Sequence, residues 1–131
     1  MNRIVILGTG HATVTRCYNT CFVLQTDTTT LLVDAGGGNG ILQRLKQAGI
    51  AIKDLHHMYV THAHTDHSGR LPLMVKNGYK GPIYATRATC DLLKIMLLDS
   101  ARIQESDAQW KAKKNKRSGD PTEDALYTVQ D

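Results

Sequence analysis

The sequence predicts an α/β domain, on three observations. Short apolar runs rich in β-branched residues alternate with segments whose apolar residues recur at helical spacing. Glycine and proline punctuate the junctions between them. A chain of 131 residues and 14.5 kDa is one domain's worth. A domain of that size can bury roughly two-thirds of the surface its unfolded chain exposes.

Residues 3–7 form the first strand, and Gly8-Thr9-Gly10 ends it. Residues 20–26 and 29–33 flank Asp27-Thr28 and read as a β-hairpin. Asp34-Ala35-Gly36-Gly37-Gly38 then breaks the strand. Ile41, Leu42, Leu45 and Ala48 mark a helix that Gly49 caps. Residues 57–61 are a buried-looking strand, and residues 68–77 a short helix with Pro72 in its first turn. Gly81-Pro82 leads into a strand over residues 83–85. From Thr86 onward Leu92, Leu93, Met96 and Leu97 predict an amphipathic helix, running straight or kinked through Arg102 to Trp110. Residues 1–118 are read as one partial domain. Residues 119–131, after the Ser118-Gly119-Asp120-Pro121 break, are read as a polar, poorly ordered tail.

Composition narrows the function classes. Hydrophobic residues at 41% and charged residues at 21% are close to globular averages and argue against a disordered chain. No apolar run approaches the roughly 18 residues a membrane span needs. The apolar stretch before Gly8 is too short for a signal peptide, so the expected location is the cytoplasm, with no membrane partner. Cys17, Cys21 and Cys90 cannot all pair within one chain and are expected as reduced thiols. The net charge of +4 is unevenly spread: Lys111, Lys113, Lys114, Lys116 and Arg117 supply five positive charges, leaving −1 for the rest. Such a run is either a solvated helix face or a contact for a phosphate backbone.

The chemistry concentrates after the fourth strand, in His62-Ala63-His64-Thr65-Asp66-His67. Three of the chain's six histidines fall within these six residues, with an aspartate among them. At a strand-to-helix turn His62 and His64 point one way, Asp66 and His67 toward a neighbouring position. Imidazole nitrogen and carboxylate oxygen suit a borderline divalent ion such as zinc. Two adjacent ions could share a water and lower its pKa.

Residues 61–69, with their H-x-H-x-D-H spacing, resemble the signature of the metallo-β-lactamase fold family of metallohydrolases. Leu31-Leu32-Val33-Asp34-Ala35-Gly36 resembles the family's first motif, a strand ending in Asp-x-Gly. The resemblance implies an αββα four-layer sandwich, with a mixed sheet flanked by helices, of which this chain is the N-terminal half. It implies one or two Zn2+ ions (or other divalent metals), with His62 and His64 on one and Asp66 and His67 on the second. Where a single ion is bound, Asp66 would act as a general base. Asp34 would lie behind the ligands and order their loop by hydrogen bonds, or cap the helix after the glycines.

Residues 7–10 and 18–20 resemble ribonuclease Z and its relatives. Residues 68–72, 81–86 and 98–105, the basic stretch and Leu126-Tyr127-Thr128 resemble the β-CASP branch of RNA-processing nucleases. The implied reaction is hydrolysis of phosphodiester bonds in RNA by attack of a metal-bound hydroxide. The family's downstream ligands, two histidines and a bridging aspartate, have no counterpart here, since no histidine follows His67. The isolated chain is therefore expected to be weak or inactive, and a half-sandwich is expected to self-associate or to take a complementary chain. The alternative is a non-catalytic truncated or mosaic module that binds metal or nucleic acid.

The remaining motifs read as structural. Gly8-Thr9-Gly10-His11-Ala12-Thr13 lacks the third glycine of a dinucleotide fingerprint and reads as a tight turn. Residues 36–40 read as a sharp turn rather than a phosphate cradle. His11 reads as a solvent-facing loop residue, His56 and His57 as structural, and the three cysteines as small buried hydrophobes.

Overall fold

The computed structural model describes residues 2–11, 13, 16–38, 40–119 and 121–131, without the Ser118 side chain. Ala12 of the first glycine turn, Asn39 of the glycine loop and Asp120 of the tail lie outside them. Five strands, β1 (Arg3–Gly8), β2 (Cys21–Gln25), β3 (Thr30–Val33), β4 (His57–Tyr59) and β5 (Ile83–Tyr84), form one sheet in the order of the chain. β1, β2 and β3 pair antiparallel, whereas β4 and β5 add in parallel, so the sheet is mixed. The change of sense follows from the connections. A tight turn closed by Thr26 and Thr29 joins β2 to β3, while α1 (Ile41–Gln47) crosses over between β3 and β4. α2 (Thr65–Ser68) and α3 (Leu71–Lys76) cross between β4 and β5, and α4 (Arg87–Ser118) follows.

Alternation along the strands decides which face is buried. Val23, Leu32 and Met58 point to one face and form a single apolar cluster with Ile41 and Leu45 of α1 and Leu71 and Met74 of α3. The opposite face carries two cross-strand rows, Ile4-Leu24-Leu31-His57 and Ile6-Phe22-Val33-Tyr59-Tyr84. There Ile4 is 63% exposed and Ile6 59%, although both are apolar. This is the uncovered sheet face expected of half a sandwich.

Two helices differ from their sequence reading. Residues 68–77 do not form one helix. The turn begins earlier, at Thr65, and breaks at Gly69-Arg70 before α3. Pro72 has no N–H to give to the carbonyl of Ser68, so the first helix cannot run through. The last helix continues past Trp110 over 32 residues, a length of about 48 Å. Thr86 caps its start, accepting from the Thr89 N–H. Gly119 ends it with φ 79°, a left-handed conformation in which glycine is unstrained. Its apolar stripe is short: Leu93 and Ala101 are buried, but no residue from 102 to 117 is. Beyond Gly119 no regular element follows among the described residues, yet Tyr127 is fully buried, with its hydroxyl 2.8 Å from Ser100 Oγ. Among the described residues no helix is long and apolar enough to cross a membrane.

Candidate metal centre

The site is assembled by two loops that leave neighbouring strands. β3 ends at Val33. Asp34 then turns the chain with φ 59°, a left-handed conformation that aspartate tolerates better than most residues. β4 ends at Tyr59, and the chain passes through Thr61, His62 and His64 into α2, which carries Asp66 and His67. Backbone bonds lock the loops together: Asp34 N to Tyr59 O at 2.9 Å, Ala35 N to His67 O at 2.9 Å and Arg70 N to Gly36 O at 3.1 Å. A Cβ on Gly37 would fall 2.5 Å from Thr65 O, so only glycine lets the loops approach this closely. Tyr18 braces the glycine loop from behind, donating to Ala35 O at 2.9 Å or Gly38 O at 3.1 Å. Burial, reinforced by the nearby Cys21, pushes its phenol well above the ordinary tyrosine range.

Asp34 is the organising group. Its carboxylate, 4% exposed, accepts from Thr61 N and Thr61 Oγ1, each at 2.8 Å, and from His67 Nδ1 at 2.7 Å. These bonds run to the histidine loop and not to the start of α1, whose N-cap is Gly40. A carboxylate can only accept, so His67 carries a proton on Nδ1, and Nε2, on the Asp66 side, is the nitrogen a cation would take. The same logic extends to His62. Thr61 spends its single hydroxyl proton on Asp34, so it must accept from His62 Nδ1, 2.9 Å away. His62 Nε2 is thereby the nitrogen turned away from Thr61, toward His64. One buried carboxylate thus orients two imidazoles, one directly and one through Thr61.

The outward nitrogens and the acid lie close together. His62 Nε2 is 3.2 Å from His64 Nδ1, and His67 Nε2 is 3.4 Å from Asp66 Oδ2. The rings of His62 and His67 are 4.1 Å apart between centroids. Two nitrogens bound to one tetrahedral zinc lie about 3.3 Å apart, given Zn–N bonds of about 2.0–2.1 Å. Both pairs therefore have the spacing and donor chemistry of ligands on a common cation. They remain two pairs: among the described residues no three His, Cys, Asp or Glu side chains form a ready-made cage. The pairs lie at the surface. His64 is exposed, and Asp66 and His67 are each 19% exposed. A polar cavity of about 340 Å³ lined by Asn19, Gly37, Gly38, Thr65 and Asp66 opens beside the acid.

Thr61, Ser68 and Tyr18 each stand within a sequence motif, but the motifs alone assign none of them a role. Ser68 is buried and donates within the turn, its Oγ 3.0 Å from the carbonyls of both Ala63 and His64. Lys111, Lys113, Lys114, Lys116 and Arg117 occupy the last turns of α4, past the part that packs on the core. His56 accepts from Thr30 N at 3.0 Å, a structural contact, and His11 is exposed beside Thr13. Of the three cysteines only Cys21 is buried; Cys90 is half-buried, and Cys17 is exposed, against its sequence reading, in the loop that precedes Tyr18.

The mixed sheet and the histidine turn at the ends of β3 and β4 define a protein of the metallo-β-lactamase fold. Residues 2–94 match the family model described as "Anti-Pycsar protein Apyc1", and the chain belongs to that family. Among curated relatives it is similar to the transcription termination factor FttA of Cenarchaeum symbiosum, 38% identical over 89 residues, covering 63% of this chain and 14% of that protein. It is also similar to ribonuclease TTHA0252 of Thermus thermophilus, 40% identical over 77 residues, covering 57% of this chain and 18% of the relative. The chain thus spans less than a fifth of the length of these two relatives. Solved structures agree on the fold. MEM-A1, a subclass B3 metallo-β-lactamase isolated from a soil metagenome library, superposes with TM-score 0.56 at 17% identity, over 69% of this chain and 32% of that one. The short form of human tRNase Z gives 0.55 at 23% identity, over 76% of this chain and 40% of that one. The family resemblance drawn from residues 61–69 and 31–36 is thereby established.

Proposed function

We propose that this chain carries the metal-holding turn of a hydrolase that cuts phosphodiester bonds in RNA. The observation that carries the reading is the hydrogen-bond chain from His62 through Thr61 and Asp34 to His67, which turns Nε2 of both imidazoles outward, toward His64 and Asp66. Imidazole with carboxylate selects zinc or a similar divalent ion. His62 and His64 would hold one ion, and His67 with Asp66 a second. With a single ion, Asp66 would take the proton of an attacking water. When bound, such an ion supplies Lewis acidity, acidifying water and neutralising charge on phosphoryl oxygens. Asp34 keeps both imidazoles oriented with Nε2 outward. The RNA assignment draws on relatives named as a ribonuclease and a transcription termination factor, and on the basic end of α4. It goes with a cytoplasmic location, where RNA is at hand and Cys17, Cys21 and Cys90 stay reduced.

A second reading, a module that binds metal or RNA without turnover, is favoured by the lack of a three-donor cage among the described residues. Elemental analysis of the purified chain beside a His62→Ala/His64→Ala double variant tests the metal reading. About one zinc per chain is expected in the first and much less in the second; equal, near-zero metal in both would sink it. The isolated chain should cleave RNA little or not at all. Strong metal-dependent cleavage, lost in Asp66→Ala, would place turnover in this chain and retire the module reading.

A further inference from the structure

The far end of α4 carries chemistry that the metal centre does not use. Trp110, Lys113, Lys114 and Arg117 follow the spacing i, i+3, i+4, i+7, which places them within an arc of about 100° on one helix face. They line an open groove of about 520 Å³. Trp110 is 63% exposed and belongs to no buried cluster, and the Lys114 ammonium sits 5.4 Å from the centroid of its ring. The other two basic residues of the run lie elsewhere. Lys111 shares a separate cavity with Asp107, Glu123 and Asp124. Lys116 lies about 120° round the helix from Trp110.

We propose that Trp110, Lys113, Lys114 and Arg117 form a stacking face for single-stranded RNA: one unpaired base lies on the indole and the three cations follow the flanking phosphates. The proposal rests on the RNA reading above and narrows it to one face of one helix. An aromatic ring interleaved with cations is the combination that grips single strands without reading their sequence, because every base has a π face. A duplex offers the phosphates but keeps its bases stacked inside. An acidic peptide would engage the cations and leave the indole unused.

Trp110 is the chain's single tryptophan, so its fluorescence reports on this face alone. Titrating the full chain with a single-stranded oligoribonucleotide should quench the emission, and a duplex of equal length should quench it far less. Trp110→Ala should bind the single strand about tenfold more weakly, with Trp110→Phe in between. The triple variant Lys113→Gln/Lys114→Gln/Arg117→Gln should flatten the slope of log affinity against log salt by about 2, as three lost phosphate contacts require. Lys111→Gln/Lys116→Gln should leave the slope nearly unchanged. None of the four side chains is buried, so helix content should match wild type throughout. RNA binding with unquenched emission, equal slope losses in the two charge variants, or equal quenching by polyglutamate would each overturn the stacking face while leaving the RNA reading in place. Failure of the wild-type chain to bind RNA even at low salt would overturn the two together.

Discussion

Asp34 and His67 stand 33 positions apart in the chain, and their side chains meet at 2.7 Å. The contact ties the end of β3 to the start of α2 and settles which nitrogen of His67 a cation would take. Asp34→Asn is the informative change. Asparagine tolerates the positive φ, so the backbone is spared, but its amide nitrogen cannot accept a proton. Zinc affinity should fall about 10–100-fold with the circular dichroism spectrum unchanged. Undiminished affinity would mean that orientation by Asp34 does not matter to the metal.

Thr61 passes the same constraint on to His62. Thr61→Val removes the hydroxyl that accepts from His62 Nδ1, leaving that imidazole free to rotate or change tautomer. Metal affinity should drop, by less than for Asp34→Asn because His67 keeps its partner. Thr61→Ser should restore it. If serine is no better than valine in a calorimetric zinc titration, the hydroxyl has no such role.

The open sheet face should make the chain self-associate. Ile4 and Ile6 stand exposed at the head of two apolar rows, and contiguous surfaces of that kind drive partnering. Light scattering should give a mass above that of the monomer, falling when Ile4 and Ile6 are both changed to lysine. A wild-type monomer with a sharp unfolding transition would show that this face is stable in water.

Cys21 should make stability depend on alkaline pH. Burial, with a smaller contribution from the Asp34 carboxylate, pushes its thiol from 9.0 up to about 12. Burial likewise carries the Tyr79 phenol to about 12. The fold therefore keeps a proton that the unfolded thiol gives up. Stability is whole below about pH 9 and falls as pH rises toward about 12, by up to ~1.4 kcal/mol per unit for the thiol. Chemical denaturation at stepped pH should show a shallower fall in Cys21→Ala. Iodoacetamide at mildly alkaline pH should label the exposed Cys17 and spare Cys21 in the native chain.

Much of this was legible in the sequence because it is written in periodicity and in adjacency. Strands announced by β-branched runs, a helix announced by Ile41, Leu42 and Leu45, and donors packed into residues 62–67 are all local signals. What escaped was relational. The helix break at Gly69-Arg70 depends on a hydrogen bond that Pro72 cannot make, a negative feature easily read as a mere first-turn proline. The support given by Thr61 depends on where Asp34 arrives, 27 residues earlier in the chain, and no spacing rule reports that. The burial of Tyr127 is of the same kind: a polar neighbourhood hid one aromatic ring that reaches Ser100 of α4.

The sheet's order, β1 to β5 without a permutation, has a kinetic consequence. Each strand pairs with the one made just before it, so no pairing has to wait for a partner beyond the next strand. A chain emerging from the ribosome amino end first can lay the strands down one after another. By the time β4 pairs with β3, Asp34 is already in position for the histidine loop that follows. The histidine turn is thus born onto strands β1 to β4 already in place, while the rows headed by Ile4 and Ile6 are exposed from the first hairpin onward and must stay shielded longest during synthesis.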